Sequence, residues 1–151
     1  LGDALEAALD ACAANAAARA ITLERVAPAA TMVEMDADRL TLVLINVIDN
    51  AIKHGRPGGI VRITGSVADA RDAGITIDDD GPGIAESDRE RIFRLGARGE
   101  TAAPGTGIGL ALVGLMLERA GGRIDVGTSP LGGARFQLHV RRSPASSVAA
   151  R

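Results

Sequence analysis

The sequence predicts an α+β two-layer sandwich, with a mixed sheet of five or six strands and about three main helices on one of its faces. Segments with apolar residues at helical spacing are separated by short alternating or β-branched runs bounded by Gly and Pro. The segment Leu40–Gly55 carries one apolar stripe, which needs an opposing layer to cover it. Hydrophobic residues make up 46% of the 151-residue chain but aromatics only 1%, Phe93 and Phe136 alone, so the core is aliphatic and alanine-rich. That length suits one domain with a sizeable core.

The elements follow in order. Leu1–Ala20 is alanine-rich, with Leu1, Leu5, Leu9 and Cys12 at helical spacing, and reads as a helix packed on one face. Ile21–Val26 alternates and stops before Pro28, as a strand does; Thr31–Met35 reads as a second short strand. Asp36 is the expected N-cap of the long helix, which Gly55 and Pro57 end. Ile60–Val67 and Gly74–Asp78 are strands separated by the polar turn Asp69–Asp72. Ser87–Phe93 reads as a short helix, with Ser87 and Glu90 spaced as a capping box. Leu95–Thr106 is rich in Gly, Ala and Pro and lacks periodicity, and a loop of about a dozen residues in a compact domain is usually functional. Gly107–Ala120 returns to helix, capped by Gly121–Gly122. Ile124–Gly127 and Ala134–Val140 form a terminal hairpin through Pro130–Gly133. The domain is expected to occupy residues 1–142, with 143–151 a disordered tail.

Composition narrows the function classes. The net charge of −2, with both signs mixed, gives no basic footprint for nucleic acid, and no aromatic platform exists for stacking bases. A single cysteine, Cys12, excludes an intrachain disulfide and a cysteine-based zinc site. No apolar run reaches transmembrane length and no signal peptide is visible. A chain that starts at Leu1 rather than Met is expected to be a piece of something longer.

The chemistry starts on the long helix. Leu40, Leu44, Val47 and Ala51 lie on one stripe, with Val43 and Ile48 on its margins. Asn46, Asn50 and Lys53 form a second stripe about a quarter turn or more away. Lys53 is the only lysine among 17 basic residues. Amide oxygens can ligate a hard cation such as magnesium, and an ammonium can sit against phosphate as a point charge. A solvated polar edge accounts for the stripe equally well.

Three further stretches fit that helix. Asp79-Asp80-Gly81-Pro82-Gly83-Ile84 follows an apolar strand, where a carboxylate at a strand end beside glycines leaves room for a flat ligand and accepts from an exocyclic amine. By itself the stretch equally reads as an acidic turn. Gly105-Thr106-Gly107-Ile108-Gly109-Leu110 opens onto a helix N-terminus, an anion site by geometry and dipole, yet it matches neither the dinucleotide fingerprint nor the P-loop. Arg98, in the loop between, is placed either to close over a phosphate or to be solvated.

In series, Asn46-Val47-Ile48-Asp49-Asn50-Ala51-Ile52-Lys53-His54, then Asp79-Asp80-Gly81-Pro82-Gly83-Ile84, then Ile92-Phe93, then Gly105-Thr106-Gly107-Ile108-Gly109-Leu110 resemble the ATP-binding catalytic domain of sensor histidine kinases. These stretches are similar to that family's N box, first glycine box, F box and second glycine box. They keep the family's order and approximate spacing, and four boxes together are far more specific than any one.

The resemblance implies the Bergerat (GHKL) ATP-binding fold, with ATP and Mg2+ as ligands. Asn50, supported by Asn46, would hold the magnesium, Lys53 would contact phosphate, and His54 would lie near the adenine. Asp79 would take the adenine amino group, with the Gly81, Gly83 and Ile84 stretch beside it. Phe93 would anchor the lid loop at about 95–106, and Arg98 would reach the γ-phosphate. Gly105, Thr106, Gly107, Ile108, Gly109 and Leu110 would wrap the phosphates with backbone N–H groups. The implied activity is donation of the γ-phosphoryl group to a histidine on a separate dimerisation and phosphoacceptor hairpin of the same two-component kinase, which in turn serves a response regulator. The implied location is a cytoplasmic domain of a membrane-anchored sensor.

Three departures stand beside the resemblance. Asp80 replaces the Asn most often seen after the adenine aspartate, and Ala134 stands where many members carry Thr, so nucleotide affinity is expected to be modest. The phosphoacceptor motif, a histidine followed by an acidic residue, Arg and Pro, is missing; His54-Gly55-Arg56-Pro57 is only an echo of it. With dimerisation lying elsewhere in the family, this chain is expected to be monomeric and not to phosphorylate itself. The alternatives are a stand-alone anti-sigma-type serine kinase, a Bergerat-fold ATPase, and a degenerate nucleotide-free interaction domain, which the intact ligand residues disfavour. The start at Leu1 and the stretch Phe93–Gly99 disfavour the first, and the second lacks an obvious glutamate base beside Asn50.

Overall fold

The long helix forms where its cap and stripe dictate. In the computed structural model, which describes residues 1–26, 31–96 and 107–144, the Asp36 carboxylate accepts from the backbone N–H groups of Asp38 and Arg39, each at 3.1 Å. This satisfies two of the donors a helix start leaves open. The helix α2 runs Ala37–His54 and buries Leu40, Val43, Leu44, Val47, Ile48, Ala51 and Ile52. Before it come α1 (Gly2–Ala18) and β1 (Thr22–Val26). After it come β2 (Ile60–Val67), β3 (Asp72–Asp79), two single 3-10 turns (Glu86–Asp88 and Arg91–Phe93), α3 (Gly109–Arg119), β4 (Arg123–Thr128) and β5 (Ala134–Arg141).

The five strands lie in the order β1-β2-β3-β5-β4; β1 is parallel to β2 and every other neighbour is antiparallel. Register aligns Ile63, Ile77 and Phe136 in one row and Ile75 with Leu138 in the next, all buried beneath the helices. The opposite face is polar. There Arg62 pairs with Glu24 at 2.8 Å, and Arg135 reaches Asp78 with both Nε and an Nη, at 2.7 and 2.8 Å. The period-2 alternation along each strand separates these faces.

Two sequence expectations are corrected. Thr31–Met35 does not form a strand; its only ladder contact is an isolated bridge from Val33 to Arg142. Thr31 and Met35 are buried as alternation demands, but the segment runs past the end of β5, with Glu34 N–H bonding the Arg141 carbonyl at 2.8 Å and the Thr31 carbonyl accepting from the Leu1 amino group at 3.2 Å. Ser87–Phe93 is not one helix with Ser87 as its cap. Ala85 takes the cap position, no side chain caps either 3-10 turn, and the chain bends between them so that Ile92 and Phe93 pack on the core. At the C-terminus, Ser143 N–H bonds the Met32 carbonyl at 3.0 Å; residues 145–151, most of the expected tail, lie outside the described residues.

Candidate functional site

The end of β3, the C-terminal half of α2 and the start of α3 supply the site. Asp79, at the last position of β3, is 1% exposed. Its Oδ1 accepts from Gly81 N–H at 2.9 Å and Ala134 N–H at 3.1 Å, and its carbonyl accepts from Gly133 N–H at 3.1 Å. Among the described residues no donor reaches Oδ2, which leaves one oxygen of a buried carboxylate to accept from a ligand. Burial pushes the carboxyl above its ordinary pKa, the two backbone N–H groups and His54 pull it back, and the Asp80 charge pushes it further up.

Close approach explains the glycines here. A Cβ on Gly81 would lie 2.2 Å from the His54 carbonyl oxygen, and one on Gly133 would lie 2.0 Å from Asp79 Oδ1. Gly83 has φ +77, the left-handed region that favours glycine, and faces the Gly133 carbonyl. Ile84 and Phe93 are half-buried and pack on the core.

On α2, Asn46 donates its Nδ2 to the Leu42 carbonyl at 2.8 Å, which turns its Oδ1 toward the start of α3. A Cβ on Gly109 would stand 2.8 Å from that oxygen, so glycine there lets the two helices meet at the asparagine. Asn50 is half-buried and makes no side-chain hydrogen bond among the described residues. His54, half-buried at the helix end, has its pKa lowered by burial, with Lys53 and Arg19 adding to that and Asp79 opposing it. Its imidazole is neutral at pH 7.

The structure does not aim Lys53 at the same place. Its Nζ pairs with Asp49 at 2.8 Å, and Asp49 also accepts from Asn15 of α1 at 2.9 Å. Such an exposed pair is worth at most about 1 kcal/mol, so the ammonium can exchange it for a stronger anion.

α3 begins without a side-chain cap at Ile108, which leaves the N–H groups of its first turn, from Gly109 and Leu110 on, open to an anion. Ile108 is exposed and Leu110 half-buried. Gly96 N–H bonds the Gly107 carbonyl at 3.3 Å, so the two ends of the 97–106 stretch meet. Arg98, Gly105 and Thr106 fall within that stretch, outside the described residues. A separate groove of about 510 Å³ on the outer side of α3, lined by Phe93, Ala111, Gly114, Leu115 and Ile124 among others, shares only Phe93 with these residues.

The residues present fit a nucleotide. Among the described residues one oxygen of the Asp79 carboxylate is unpartnered beside glycines, and the uncapped start of α3 meets an asparagine oxygen of α2. Among the described residues no group of three or more His, Cys, Asp or Glu side chains could hold a metal by themselves. The asparagine oxygens alone make an incomplete magnesium site, which a ligand's phosphates would complete.

Sequence reasoning missed three supports. Gly133 and Ala134 close over Asp79, Arg19 reaches the Lys53 and Gly55 carbonyls at the end of α2, and Asp80 binds the following loop. Only the Gly132-Gly133 pair and the Asp at position 80 gave any local signal.

The model of the histidine kinase-, DNA gyrase B-, and HSP90-like ATPases matches residues 35–144. The chain belongs to that ATPase family. Within it, the chain is 36% identical over 124 residues to the sensor histidine kinase TmoS of Ectopseudomonas mendocina, covering 80% of this chain and 13% of TmoS. It is 42% identical over 104 residues to the sensor-type histidine kinase PrrB of Mycobacterium leprae, covering 67% of this chain and 22% of PrrB. This ATPase domain thus spans less than a quarter of either relative. Among solved structures, a mycobacterial sensor histidine kinase MprB superposes with TM-score 0.82 at 26% identity over 95% of both chains. Full-length ShkA in complex with AMPPNP gives TM-score 0.82 at 28% identity, over 95% of this chain and 30% of ShkA. The fold and the family are those of the ATP-binding catalytic domains of sensor histidine kinases.

Proposed function

We propose that this domain binds Mg-ATP and donates the γ-phosphoryl group to a histidine on a separate dimerisation and phosphoacceptor domain of the same two-component kinase. The observation that carries the reading is the buried Asp79, whose Oδ1 is held by two backbone N–H groups while no donor reaches its Oδ2 among the described residues.

Asp79 Oδ2 accepts from the adenine amino group, while Oδ1 stays fixed by Gly81 and Ala134. A carboxylate gripped by two backbone donors cannot turn away, so its second oxygen is presented in one direction. The first N–H groups of α3 take phosphate oxygens, with the helix dipole in support. Asn50 and Asn46 offer amide oxygens to a magnesium ion, which neutralises phosphate charge when bound. Lys53 leaves Asp49 for phosphate, and Arg98 reaches the γ-phosphate. The acceptor imidazole nitrogen attacks the γ-phosphorus as the bond to the bridging oxygen breaks, ADP leaves with the electron pair, and the imidazole proton passes to a base on the acceptor domain. Such transfer needs positioning and charge neutralisation more than covalent chemistry, so no general base is assigned on this chain. In the whole kinase this is the cytoplasmic part of a membrane-anchored sensor that passes its phosphoryl group to a response regulator.

Isothermal titration of Mg-ATP into the wild type, Asp79→Asn and Asn50→Ala tests this. The expected result is binding in the micromolar-to-millimolar range that Asp79→Asn abolishes and that loses its magnesium dependence in Asn50→Ala. No binding to a folded wild type overturns it. Adding a histidine-bearing hairpin or an anti-sigma antagonist, with labelled ATP, distinguishes histidine from serine phosphorylation.

A further inference from the structure

We infer that Asp80 is a positioning residue of the nucleotide site, whose two carboxylate oxygens bind the loop after α2 and so hold the end of that helix against Asp79. The inference rests on the nucleotide reading proposed above.

Asp80 follows Asp79 directly but faces away from the ligand side. Its Oδ1 accepts from Arg56 N–H and its Oδ2 from Ile60 N–H, each at 3.0 Å. Both donors lie in the connection from α2 to β2. A Cβ on Gly59 would stand 2.1 Å from Asp80 Oδ2, so glycine there gives the carboxylate its seat. From the other side, Arg19 donates to the Gly55 carbonyl at 3.0 Å and to the Lys53 carbonyl, and the Arg19 carbonyl accepts from Gly58 N–H at 2.9 Å. The loop is thus held between the end of α1 and the end of β3. It carries the last turn of α2, whose His54 carbonyl packs on Gly81, the residue that donates to Asp79 Oδ1.

The chemistry selects aspartate. Two converging N–H donors need two acceptor oxygens, and asparagine has one, its NH2 then facing a second donor. In this chain the Asp that departs from the family's usual Asn matches two backbone donors.

The charge has a second consequence. The charged and titratable groups acting on Asp79 are Asp80 on its own strand end and His54 from α2, with Lys53 and Arg19 acting on His54 in turn. Ala134 of β5 brings only its N–H. Removing the Asp80 charge makes Asp79 easier to ionise, so the acid limit of nucleotide binding moves to lower pH. That shift reports the Asp80 charge alone, whereas affinity at pH 7 and exchange in the last turn of α2 report the brace.

The experiment compares wild type, Asp80→Asn and Gly59→Ala by Mg-ATP titration across pH, with amide hydrogen exchange on the ligand-free chains. For Asp80→Asn the expected result is faster exchange at Arg56, Ile60 and the last turn of α2, about tenfold weaker binding, and an acid limit at lower pH. Gly59→Ala displaces the carboxylate while keeping its charge and is expected to weaken binding similarly. Asp80→Asn binding at pH 7 as wild type does overturns this inference alone, as does faster exchange confined to Arg56 and Ile60. A folded wild type that binds no Mg-ATP overturns the nucleotide reading and this inference together. Should Asp80→Asn not fold, unchanged affinity in Gly59→Ala overturns the inference.

Discussion

Asp79 sets function against stability. Burial raises its pKa in the folded chain above the unfolded value, so the folded state binds the proton more tightly. The resulting penalty is absent below the ordinary carboxylate range and grows as pH rises through the raised folded value. Asparagine keeps an Oδ1 for Gly81 and Ala134 but carries no charge. Asp79→Asn is therefore expected to be more stable than wild type in urea unfolding at pH 7, with the difference vanishing as pH falls below about 4, the unfolded value. Asp78, its neighbour, differs in its contacts. It is 2% exposed but carries its partner with it, Arg135 in a two-point grip. Arg135→Ala strands that carboxylate and is expected to cost about 3 kcal/mol in the same assay. Of two adjacent buried aspartates, one is thus paired by an arginine and the other is held only by backbone N–H groups among the described residues.

At the scale of elements, legibility tracked how local the determinants were. α2 could be read because its cap, stripe and terminating glycine are contiguous, and Asp36→Ala is expected to lower stability by about 1 kcal/mol in thermal unfolding. Thr31–Met35 could not be read correctly, because its alternation is real but the partner strand it would need ends beside it. Ser87–Phe93 carried a capping pattern that lost to the burial of Ile92 and Phe93, a tertiary demand invisible locally. α3 holds an unspent margin. Gly114 sits mid-helix, and a Cβ there would meet nothing within 4 Å. Gly114→Ala is expected to raise stability by roughly 0.5–1 kcal/mol, since the cost of a helical glycine has no packing return inside the domain.

In the whole molecule, the residue types of the site were legible and their supports were not. Asn46, Asp79 and Gly109 stood out in sequence, and the packing of α3 on α2 sets Gly109 against Asn46. The contacts that hold them come from residues far along the chain: Ala134 lies 55 positions from the Asp79 it binds, and Ile60 lies 20 from Asp80. No local pattern encodes such pairs. That dispersal also ties the proposed site to the fold, since the proposed ligand contacts draw on α2, β3 and α3 together, and a ligand bound across all three would stabilise only the folded chain. At a free Mg-ATP concentration about a hundred times Kd, linkage gives about 2.7 kcal/mol. For a chain of this size that corresponds to a rise in Tm of roughly 5–10 °C. Calorimetric melting of wild type with and without Mg-ATP is expected to show that rise, and Asp79→Asn, the more stable chain without ligand, is expected to show none. A rise of the same size in Asp79→Asn would mean that the nucleotide is held elsewhere on the domain, because a neutral amide at position 79 turns a donor toward the adenine amine it would have to accept from.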